Sequence, residues 1–350
     1  MKRLTYSRYE LNFKVPGGTS RGVLHRKETF FIKLEDKGKI GIGECGLFRG
    51  LSYDDRPDFE SRLAWLAENV NREPEELKSA LRDYPSILFG LEQALLSLEK
   101  ENPFELFPSG FTRGEETIPI NGLIWMGDRR FMQKQIREKL DSGFKVLKLK
   151  IGALEFDAEL ELIASIREEF SEAEIEIRVD ANGAFPPIEA LEKLKRLSQH
   201  AIHSIEQPIR QGQLDDMARL CEQSPVPIAL DEELIGLTHE SQREELLRKL
   251  RPAYLIFKPS LIGGMAVCDH WIELCREQQV DWWITSALES NVGLNAIAQY
   301  TYVLNNPLPQ GLGTGGLFTN NIPSPLKVER GALHYDPNLK WGDTSGLFHE

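Results

Sequence analysis

Residues 145–152 read KVLKLKIG, and four similar segments follow at even intervals: RVDAN at 178–182, SIEQP at 204–208, ALDEE at 229–233 and IFKPS at 256–260. Each segment is a short apolar run that ends at an ionisable residue. From Lys150, the steps to Asp180, Glu206, Asp231 and Lys258 are 30, 26, 25 and 27 residues. This spacing predicts repeated strand–helix units, and in a barrel of such units every strand ends at one shared face.

The pattern before residue 115 is different and predicts a separate α+β domain. An antiparallel meander is expected from strands at 6–14, 28–34 and 39–45, followed by helices near 58–69, 74–81 and 86–99. The segment ENPFELFPSGFTRGEET at 101–117 contains two prolines and two glycines and is the clearest boundary. We expect a capping domain at 1–115, completed by residues 318–350, and a catalytic barrel at 116–317.

From residue 118 the sequence alternates between apolar runs and amphipathic segments. Strands are predicted at 118–124, 146–151, 176–180, 204–206, 228–231, 254–258 and 281–285, with a last short one near Gly311. Helices are predicted between them, for example at 129–141, 157–169, 188–197 and 266–278. Because parallel strands need such crossovers, the fold class is an α/β, TIM-like barrel.

Composition excludes several classes of function. The chain has 350 residues, a net charge of -12 and no dense run of lysine and arginine, so nucleic acid is not an expected partner. There is no apolar run of membrane-spanning length and no signal peptide at the start, so we expect a cytoplasmic protein without a membrane partner. The four cysteines form no CxxC pair, which favours reduced thiols over a zinc site.

The strand-end residues predict a site with metal and base chemistry. Period two places Lys148 and Lys150 on one face of a strand, and likewise Arg178, Asp180 and Asn182 if that strand stays extended. Taken singly, each charged residue is more often a salt-bridged surface residue. Together at strand ends they would be costly unless a divalent cation and a substrate anion neutralised them.

Such a site suits removal of a proton next to a carboxylate. The carbon acid is weak, so the barrier falls only if the enolate is stabilised as it forms. A magnesium ion on three acidic ligands leaves positions for substrate and water. Two neighbouring lysines and a cation should lower one another's pKa and provide a neutral amine as the base.

The set KxKxG, DAN, EQP, DE and KP resembles the enolase superfamily, in its muconate-lactonizing branch. The resemblance spans the chain and implies a (β/α)7β barrel behind a capping domain. It implies Mg²⁺, with Mn²⁺ as a substitute, on Asp180, Glu206 and Asp231. It implies acid/base lysines at Lys150 and Lys258, with Asn182 in contact with the ligands.

Within the branch, the sequence is most similar to the o-succinylbenzoate synthase family of menaquinone biosynthesis. Those lyases dehydrate 2-succinyl-6-hydroxy-2,4-cyclohexadiene-1-carboxylate. The resemblance implies that Lys150 removes the proton, that Lys258 is a cation over the ring and that Lys148 binds the carboxylate. It also implies that Arg178 points into the barrel as a substrate contact. The partner is therefore a small carboxylate, and the sequence does not determine an oligomeric state.

Three segments leave alternatives open. Ser286 either contacts the substrate or begins a helix with Glu289 as a capping box. The segment 17–21, which contains Ser20, is either a lid over the succinyl tail or an ordinary hairpin loop. The glycines of 311–316 match GxGxxG, but Pro323 and Pro325 interrupt any following helix, so we interpret the segment as the rim of the site.

Other functions remain to be distinguished from the lyase. The branch also contains N-acylamino-acid racemases and muconate-type cycloisomerases, which use the same pair of lysines. Dipeptide epimerases carry a DxD on the last barrel strand, and this chain has glycines there instead. A barrel that only binds an organic acid is the alternative from another class, and the retention of all three ligands and both lysines argues against it.

Overall fold

A computed structural model describes residues 1–19 and 22–348. Ser20, a predicted substrate contact, lies outside the described residues. The chain begins with an antiparallel sheet in the order β1 (Arg3–Thr19), β2 (Gly22–Asp36) and β3 (Lys39–Cys45). The predicted meander is thus confirmed: β3 has the predicted bounds, and β1 and β2 are longer than predicted. Lys37 and Gly38 both have positive φ, 50° and 80°, which is the geometry of a tight hairpin turn.

Three helices follow the sheet: α1 (Phe59–Asn69), α2 (Pro74–Leu81) and α3 (Pro85–Leu98). Helix α3 packs directly on β3 because two glycines of that strand have no side chain. A Cβ atom at Gly41 would lie 2.0 Å from the carbonyl oxygen of Ala94, and one at Gly43 would lie 2.0 Å from that of Gly90. Leu91 and Leu98 are buried in the core between the sheet and the helices, as the helical spacing of the leucines predicts.

The next part of the chain alternates strands and helices. Its elements are β4 (Ile118–Pro119), β5 (Gly122–Ile124), α4 (Arg129–Asp141), β6 (Val146–Lys150), α5 (Phe156–Glu169), β7 (Glu176–Asp180), α6 (Pro187–Leu197), β8 (Ser204–Glu206), α7 (Leu214–Gln223), β9 (Ile228–Leu230), α8 (Glu240–Leu250), β10 (Tyr254–Phe257), α9 (Pro259–Ile262), α10 (Met265–Gln278), β11 (Asp281–Ile284) and α11 (Asn291–Val303).

Among the described residues, strands β5 to β11 form one parallel sheet of seven strands in chain order. Single bridges from Ile120 to Gln310 and from Thr285 to Gly311 join its two edges through the predicted last strand. The predicted barrel is confirmed. The predicted strand at 118–124 is divided, because β4 pairs outside the barrel and only β5 joins it.

Along each barrel strand, side chains point alternately to the apolar core and to the site inside the barrel. The side chains of Leu147, Leu149, Ile177 and Val179 are almost fully buried in the apolar layer between strands and helices. Their neighbours along the strands therefore point to the barrel interior, where the charged residues lie. The strand pattern of apolar and charged residues is thus what places the lysines and carboxylates inside.

The chain ends with a hairpin, β12 (Leu326–Glu329) and β13 (Ala332–Tyr335), which pairs with β4. Residues after the barrel also contact the N-terminal sheet, since the rings of Phe13 and Phe318 are 4.8 Å apart and Leu347 packs with Phe31. The domain division at residue 115 and the assignment of 318–350 to the capping domain stay predictions. Within residues 1–19 and 22–348, no helix combines the length and apolar character needed to cross a bilayer.

Candidate active site

The predicted strand-end residues meet at one end of the barrel. Lys150, Asp180 and Glu206 are the last residues of β6, β7 and β8, and they are direct neighbours in the register of the sheet. Asp231 follows β9 and Lys258 follows β10. All five side chains are buried. The structure therefore brings together the proposed metal ligands and both proposed catalytic lysines.

Three ammonium groups neutralise the three carboxylates. The Nζ atom of Lys148 lies 3.0 Å from Asp180 and also contacts Glu206. The Nζ atom of Lys150 donates to Asp180 at 2.5 Å and to the side-chain oxygen of Asn182 at 2.8 Å. Lys258 donates to Asp231. Because every ion is paired, the burial of so many charges is tolerated.

The lysines differ in their electrostatic environments. Burial lowers the pKa of Lys150 more than Asp180 raises it, and the neighbouring Lys148 ammonium lowers it further. Burial also opposes the charge of Lys258, but attraction to Asp231 outweighs it and raises that pKa. The pKa of Lys148 is raised because Asp180 and Glu206 outweigh its burial. The prediction that neighbouring lysines lower each other's pKa therefore holds for Lys150 and is wrong for Lys148.

The carboxylates differ in the same way. Burial tends to raise the pKa of Asp180, but two adjacent ammonium groups, Lys148 and Lys150, hold it well below its usual range. Burial raises the pKa of Glu206 well above its usual range, and repulsion from Asp180 adds to that rise. A carboxyl group in this position gains from an additional nearby cation.

The side chains of the three proposed ligands have the chemistry that a divalent cation requires. The donors of Asp180, Glu206 and Asp231 are all oxygen atoms, which suits Mg²⁺. One carboxylate oxygen of Glu206, Oε1, is buried without a hydrogen-bond partner, and the other, Oε2, contacts the ammonium group of Lys148. However, the lysines lie between these carboxylates. Among the described residues, no three aspartate, glutamate, histidine or cysteine side chains are close enough together to hold a metal ion. A bound cation would have to take over positions that the ammonium groups now fill.

Asn182 contacts Asp180, the proposed metal ligand two residues before it. It has a positive φ of 44°, so the strand does not stay extended to this residue. Its backbone N–H donates to Asp180 at 2.9 Å, and its side-chain amide donates to Glu232 at 2.9 Å. The structure shows its contact with Asp180 but not an extended strand at this position, and its role in metal binding stays a prediction.

Gln207 connects two proposed ligands, and sequence reasoning did not identify this. Its Nε2 atom donates to Glu233 at 2.8 Å and to the carbonyl oxygen of Ile209 at 3.1 Å. Its Oε1 atom accepts from the backbone N–H groups of Asp231 and Glu233, each at 3.3 Å. The side chain is fully buried. Gln207 therefore ties the end of β8, which carries Glu206, to the residues that follow β9.

A cavity of about 450 Å³ opens above the lysines. Its volume is in the range of small-molecule sites. Among the described residues, its lining contains one carboxylate, Glu138, and six lysines: Lys14, Lys134, Lys139, Lys148, Lys150 and Lys258. Apolar walls come from residues such as Phe48, Leu51 and Trp125. The lining favours an organic anion with an apolar body.

Ser286 lies in the wall of this cavity. Its hydroxyl group is 2.6 Å from that of Thr314. The proposed capping box is wrong, because α11 begins after Ser290, whose side chain accepts from the N–H of Val292. Glu289 instead accepts from the hydroxyl group of Ser260 at 2.5 Å and from the N–H of Ala287. A substrate contact at Ser286 stays a prediction.

Arg178 lies inside the barrel but not in the lining of the cavity. Its guanidinium group pairs with Glu176 at 2.7 Å, donates to the carbonyl oxygen of Pro309 at 2.9 Å and lies 4.3 Å from the ring centre of Trp283. Since the strand rises towards Asp180, these contacts place Arg178 one layer below the ligands. Its predicted contact with substrate is not among the contacts that the structure describes, and the role stays a prediction.

Gly17 and Gly18 pack closely against the residues that follow β5. A Cβ atom at Gly17 would lie 3.1 Å from the ring of Trp125, and the carbonyl oxygen of Gly18 accepts from the N–H of Met126 at 3.2 Å. The lid function of segment 17–21 stays a prediction.

Gly311, Gly313 and Gly316 line the cavity, and no helix begins there beyond a single 3₁₀ turn at Gly315–Leu317. The segment is therefore a rim and not a dinucleotide-binding turn.

Comparisons with known proteins agree with the fold. The model of the family described as enolase C-terminal domain-like matches residues 131–339. The chain is 50% identical to an o-succinylbenzoate synthase of Desulfotalea psychrophila, over 94% of this chain and 98% of that protein. A crystal structure of MenC from Desulfotalea psychrophila superposes with a TM-score of 0.84 at 47% identity, covering 95% of this chain and 99% of that one. An N-succinylamino acid racemase of Thermus thermophilus is 28% identical, over 81% of this chain and 78% of that protein.

Proposed function

Because this chain belongs to the enolase C-terminal domain-like family, we propose that it is a carbon–oxygen lyase that forms o-succinylbenzoate in menaquinone biosynthesis. The identity of 50% over almost the whole length of both chains supports this activity. The substrate is a small carboxylate, the dehydrated product is aromatic, and the reaction begins with loss of the proton next to the ring carboxylate. The cytoplasmic location predicted from the sequence accords with the proposal.

One observation carries the chemical part of the proposal. Lys150 and Lys258 line the same cavity from β6 and from the end of β10, with three carboxylate-bearing strands between them in the sheet. An acid held in the cavity is therefore within reach of a base on one side and a cation on the other. The six lysines of the lining suit a substrate that carries two negative charges.

We assign the proton transfer to Lys150. Burial lowers its pKa, which increases the fraction of neutral amine that can accept a proton near neutral pH. Asn182 and Asp180 hold its Nζ atom by hydrogen bonds and so orient it. Lys258 stays charged, since Asp231 raises its pKa, and its positive charge favours departure of the hydroxyl group. Lys148 contacts the same Asp180 carboxylate as Lys150 and would bind the ring carboxylate.

Asp180, Glu206 and Asp231 would hold a divalent cation, which we take to be Mg²⁺ with Mn²⁺ as a substitute. When bound, such a cation supplies positive charge to the substrate carboxylate as negative charge develops on it. A cation bound to these carboxylates would displace the lysines and so free the ammonium group of Lys148 and the amine of Lys150 for the substrate. Asn182 and Gln207 would keep the carboxylates oriented during that exchange.

The activity can be tested directly with purified protein. Incubation with the cyclohexadiene substrate and Mg²⁺ should convert it to o-succinylbenzoate, which is followed by the change in ultraviolet absorbance and by mass spectrometry. Lys150→Ala should abolish conversion while the far-ultraviolet circular dichroism is unchanged. Absence of product from the wild-type enzyme with metal present would refute the proposed function.

An isotope-exchange experiment in D₂O distinguishes this lyase from a racemase with the same lysines. A racemase must deliver a proton from the opposite face, so N-succinylamino acids in D₂O would take up label at the α carbon in both enantiomers. A dedicated synthase needs only one base, because its intermediate loses the hydroxyl group on the way to an aromatic ring. We expect fast dehydration and little exchange of the amino acids. Rapid exchange without dehydration would assign the racemase activity instead.

A further inference from the structure

Lys139 lies in the lining of the cavity without a carboxylate partner. It is a half-buried residue of α4. Among the residues that the structure describes, its ammonium group makes no ion pair and no hydrogen bond, and it lies 4.8 Å from the centre of the Phe144 ring. Burial lowers the pKa of Lys139, and attraction to Glu138 offsets that effect only in part. An ammonium group that loses water without gaining a counter-ion favours the binding of an anion.

The other five lysines of the lining are paired with carboxylates or exposed to solvent. Three of them contact the carboxylates of the site: Lys148, Lys150 and Lys258. Lys134 is exposed, and its Nζ atom is 3.7 Å from Glu138, the one carboxylate in the described lining. Lys14 is exposed as well. Lys139 is therefore the lysine of this lining whose charge is neither paired nor fully in water.

The barrel wall has a gap between β5 and the closing segment of the barrel, residues 310–317. The backbone N–H of Asn121, just before β5, donates to the carbonyl oxygen of Gln310 at 3.0 Å. Beyond this contact, no backbone hydrogen bond or bridge joins β5 to residues 311–317 in the described part of the chain. The closing segment has no side chain at Gly311, Gly313 and Gly316, and a Cβ atom at Gly316 would meet nothing within 4 Å. The cavity is therefore open on this side of the barrel.

The cavity reaches both faces of β5. Leu123 pairs with Lys148 in the sheet, and both residues line the cavity from inside the barrel. Gly122 points the other way, since a Cβ atom there would lie 3.2 Å from the Cδ atom of Lys139 and 3.1 Å from the ring of Phe144. Lys139 and Phe144 nevertheless line the same cavity. The cavity therefore passes the free edge of β5 and continues as a side arm along α4.

The proposed substrate carries two carboxylates in different places. One is attached to the ring, next to the carbon that loses its proton, and Lys148 would bind it. The other ends the succinyl arm, separated from the ketone by two methylene groups. A carboxylate that leaves water needs a cation of its own. The side arm of the cavity offers both the space for this flexible chain and a cation that no carboxylate of the described protein occupies.

We propose that Lys139 binds the terminal carboxylate of the succinyl arm, and so selects substrates that carry a second negative charge. This inference rests on the proposed function, because it names the substrate group that the same cavity would hold. Two other polar atoms of the cavity are buried without partners, Oδ1 of Asn121 and Oγ1 of Thr285, but neither carries a positive charge. An ammonium group distinguishes a carboxylate from a neutral group more strongly than a neutral donor does. Lys139 takes no part in proton transfer.

The test compares two ligands in binding experiments without turnover. One is o-succinylbenzoate, and the other is its analogue whose arm ends in a carboxamide; both keep the ring carboxylate and the ketone. Isothermal titration calorimetry with Mg²⁺ gives the two dissociation constants. The wild-type enzyme should prefer the carboxylate by at least about tenfold, as expected for a charge-assisted hydrogen bond. Lys139→Gln should bind the two ligands within about threefold of each other, with its affinity for the carboxamide unchanged.

Three further variants make the result specific. Lys139→Met keeps the aliphatic stem that packs against Gly122 and Phe144, so it should lose the preference in the same way even if Lys139→Gln is unstable. Lys139→Arg keeps the charge and should keep a preference of at least about fivefold. Lys134→Gln is the matched control, because it removes an exposed charge from the same helix and the same lining and should leave the preference within about twofold of wild type. Each variant is first checked for a cooperative thermal transition.

The outcomes separate this inference from the proposed function. If Lys139→Gln and Lys139→Met keep the wild-type preference while the wild-type enzyme dehydrates its substrate, the role of Lys139 is refuted and the proposed function stands. Equal binding of the two ligands by the wild-type enzyme, or loss of the preference in Lys134→Gln, also refutes that role. If the wild-type enzyme binds neither ligand and forms no product, both proposals are overturned.

Discussion

Replacement of Gln207 by glutamate should destabilise this protein strongly. The amide of Gln207 donates to Glu233 at 2.8 Å and to the carbonyl oxygen of Ile209 at 3.1 Å. A carboxylate can make neither donation, and it would face the carboxylate of Glu233 in a buried place. The two acceptor contacts, from the N–H groups of Asp231 and Glu233, would be kept.

The magnitude follows from these contacts. Two lost hydrogen bonds cost about 1 kcal/mol each. An uncompensated buried charge costs about 3 kcal/mol or more. The free energy of unfolding of Gln207→Glu should therefore fall by about 5 kcal/mol, which lowers the midpoint of thermal unfolding of a chain of this length by about 7 °C. Because Gln207 also orients the residues after β9, the affinity for Mg²⁺ should fall by about tenfold.

The assay is a thermal melt of four proteins at pH 8 by circular dichroism, with Mg²⁺ titrations of the folded forms. Gln207→Glu combined with Glu233→Gln should recover at least half of the lost stability, because the new amide at 233 can donate to the new carboxylate at 207. Gln213→Glu is the matched control, since the Gln213 amide makes one exposed bond to Arg210 and its loss should change little. A Gln207→Glu melt within about 2 °C of wild type, or a double variant no more stable than Gln207→Glu, would refute this reasoning.

Further predictions concern the metal, the bases and one buried acid. Excess EDTA should remove activity and Mg²⁺ should restore it, while zinc should not be needed because the proposed ligands are all oxygen; full activity in the chelator would contradict the metal assignment. Lys150→Ala should lower kcat by at least about 10²-fold with metal binding retained, and a variant within a few-fold of wild type would remove Lys150 from the mechanism. Lys258→Ala should be similarly severe, but Lys258→Arg should keep part of the dehydration activity if position 258 supplies charge and not a proton, which steady-state kinetics will show. Burial raises the pKa of Asp54 to about 6, so the folded protein holds a proton that the unfolded chain releases at lower pH. The contribution of Asp54 to stability should therefore be lost as the pH rises from about 4 to about 6, and the stability of Asp54→Asn relative to wild type should increase over that window in urea unfolding; a constant difference would contradict the assignment.

The sequence by itself determined the barrel and the composition of its site. Strand ends in a parallel barrel share one face, so the even spacing from Lys150 to Lys258 was sufficient to place the charged residues together. The strand boundaries at 176–180 and 204–206 also agree with the structure. These features depend on local periodicity, which a single sequence contains.

Only the tertiary structure decided which groups of the site are engaged and which are available. Asn121 has the appearance of an ordinary polar residue in an apolar run, and the burial of its Oδ1 atom without a hydrogen-bond partner is visible only when the closing segment and the cavity are in place. The bond between Gln207 and Glu233 joins residues 26 positions apart. The opposite pKa directions of Lys148 and Lys150, two residues apart on one strand, arise from which carboxylates surround each ammonium group. Burial and pairing across strands are properties of the packed barrel, and a linear pattern of residue types does not contain them.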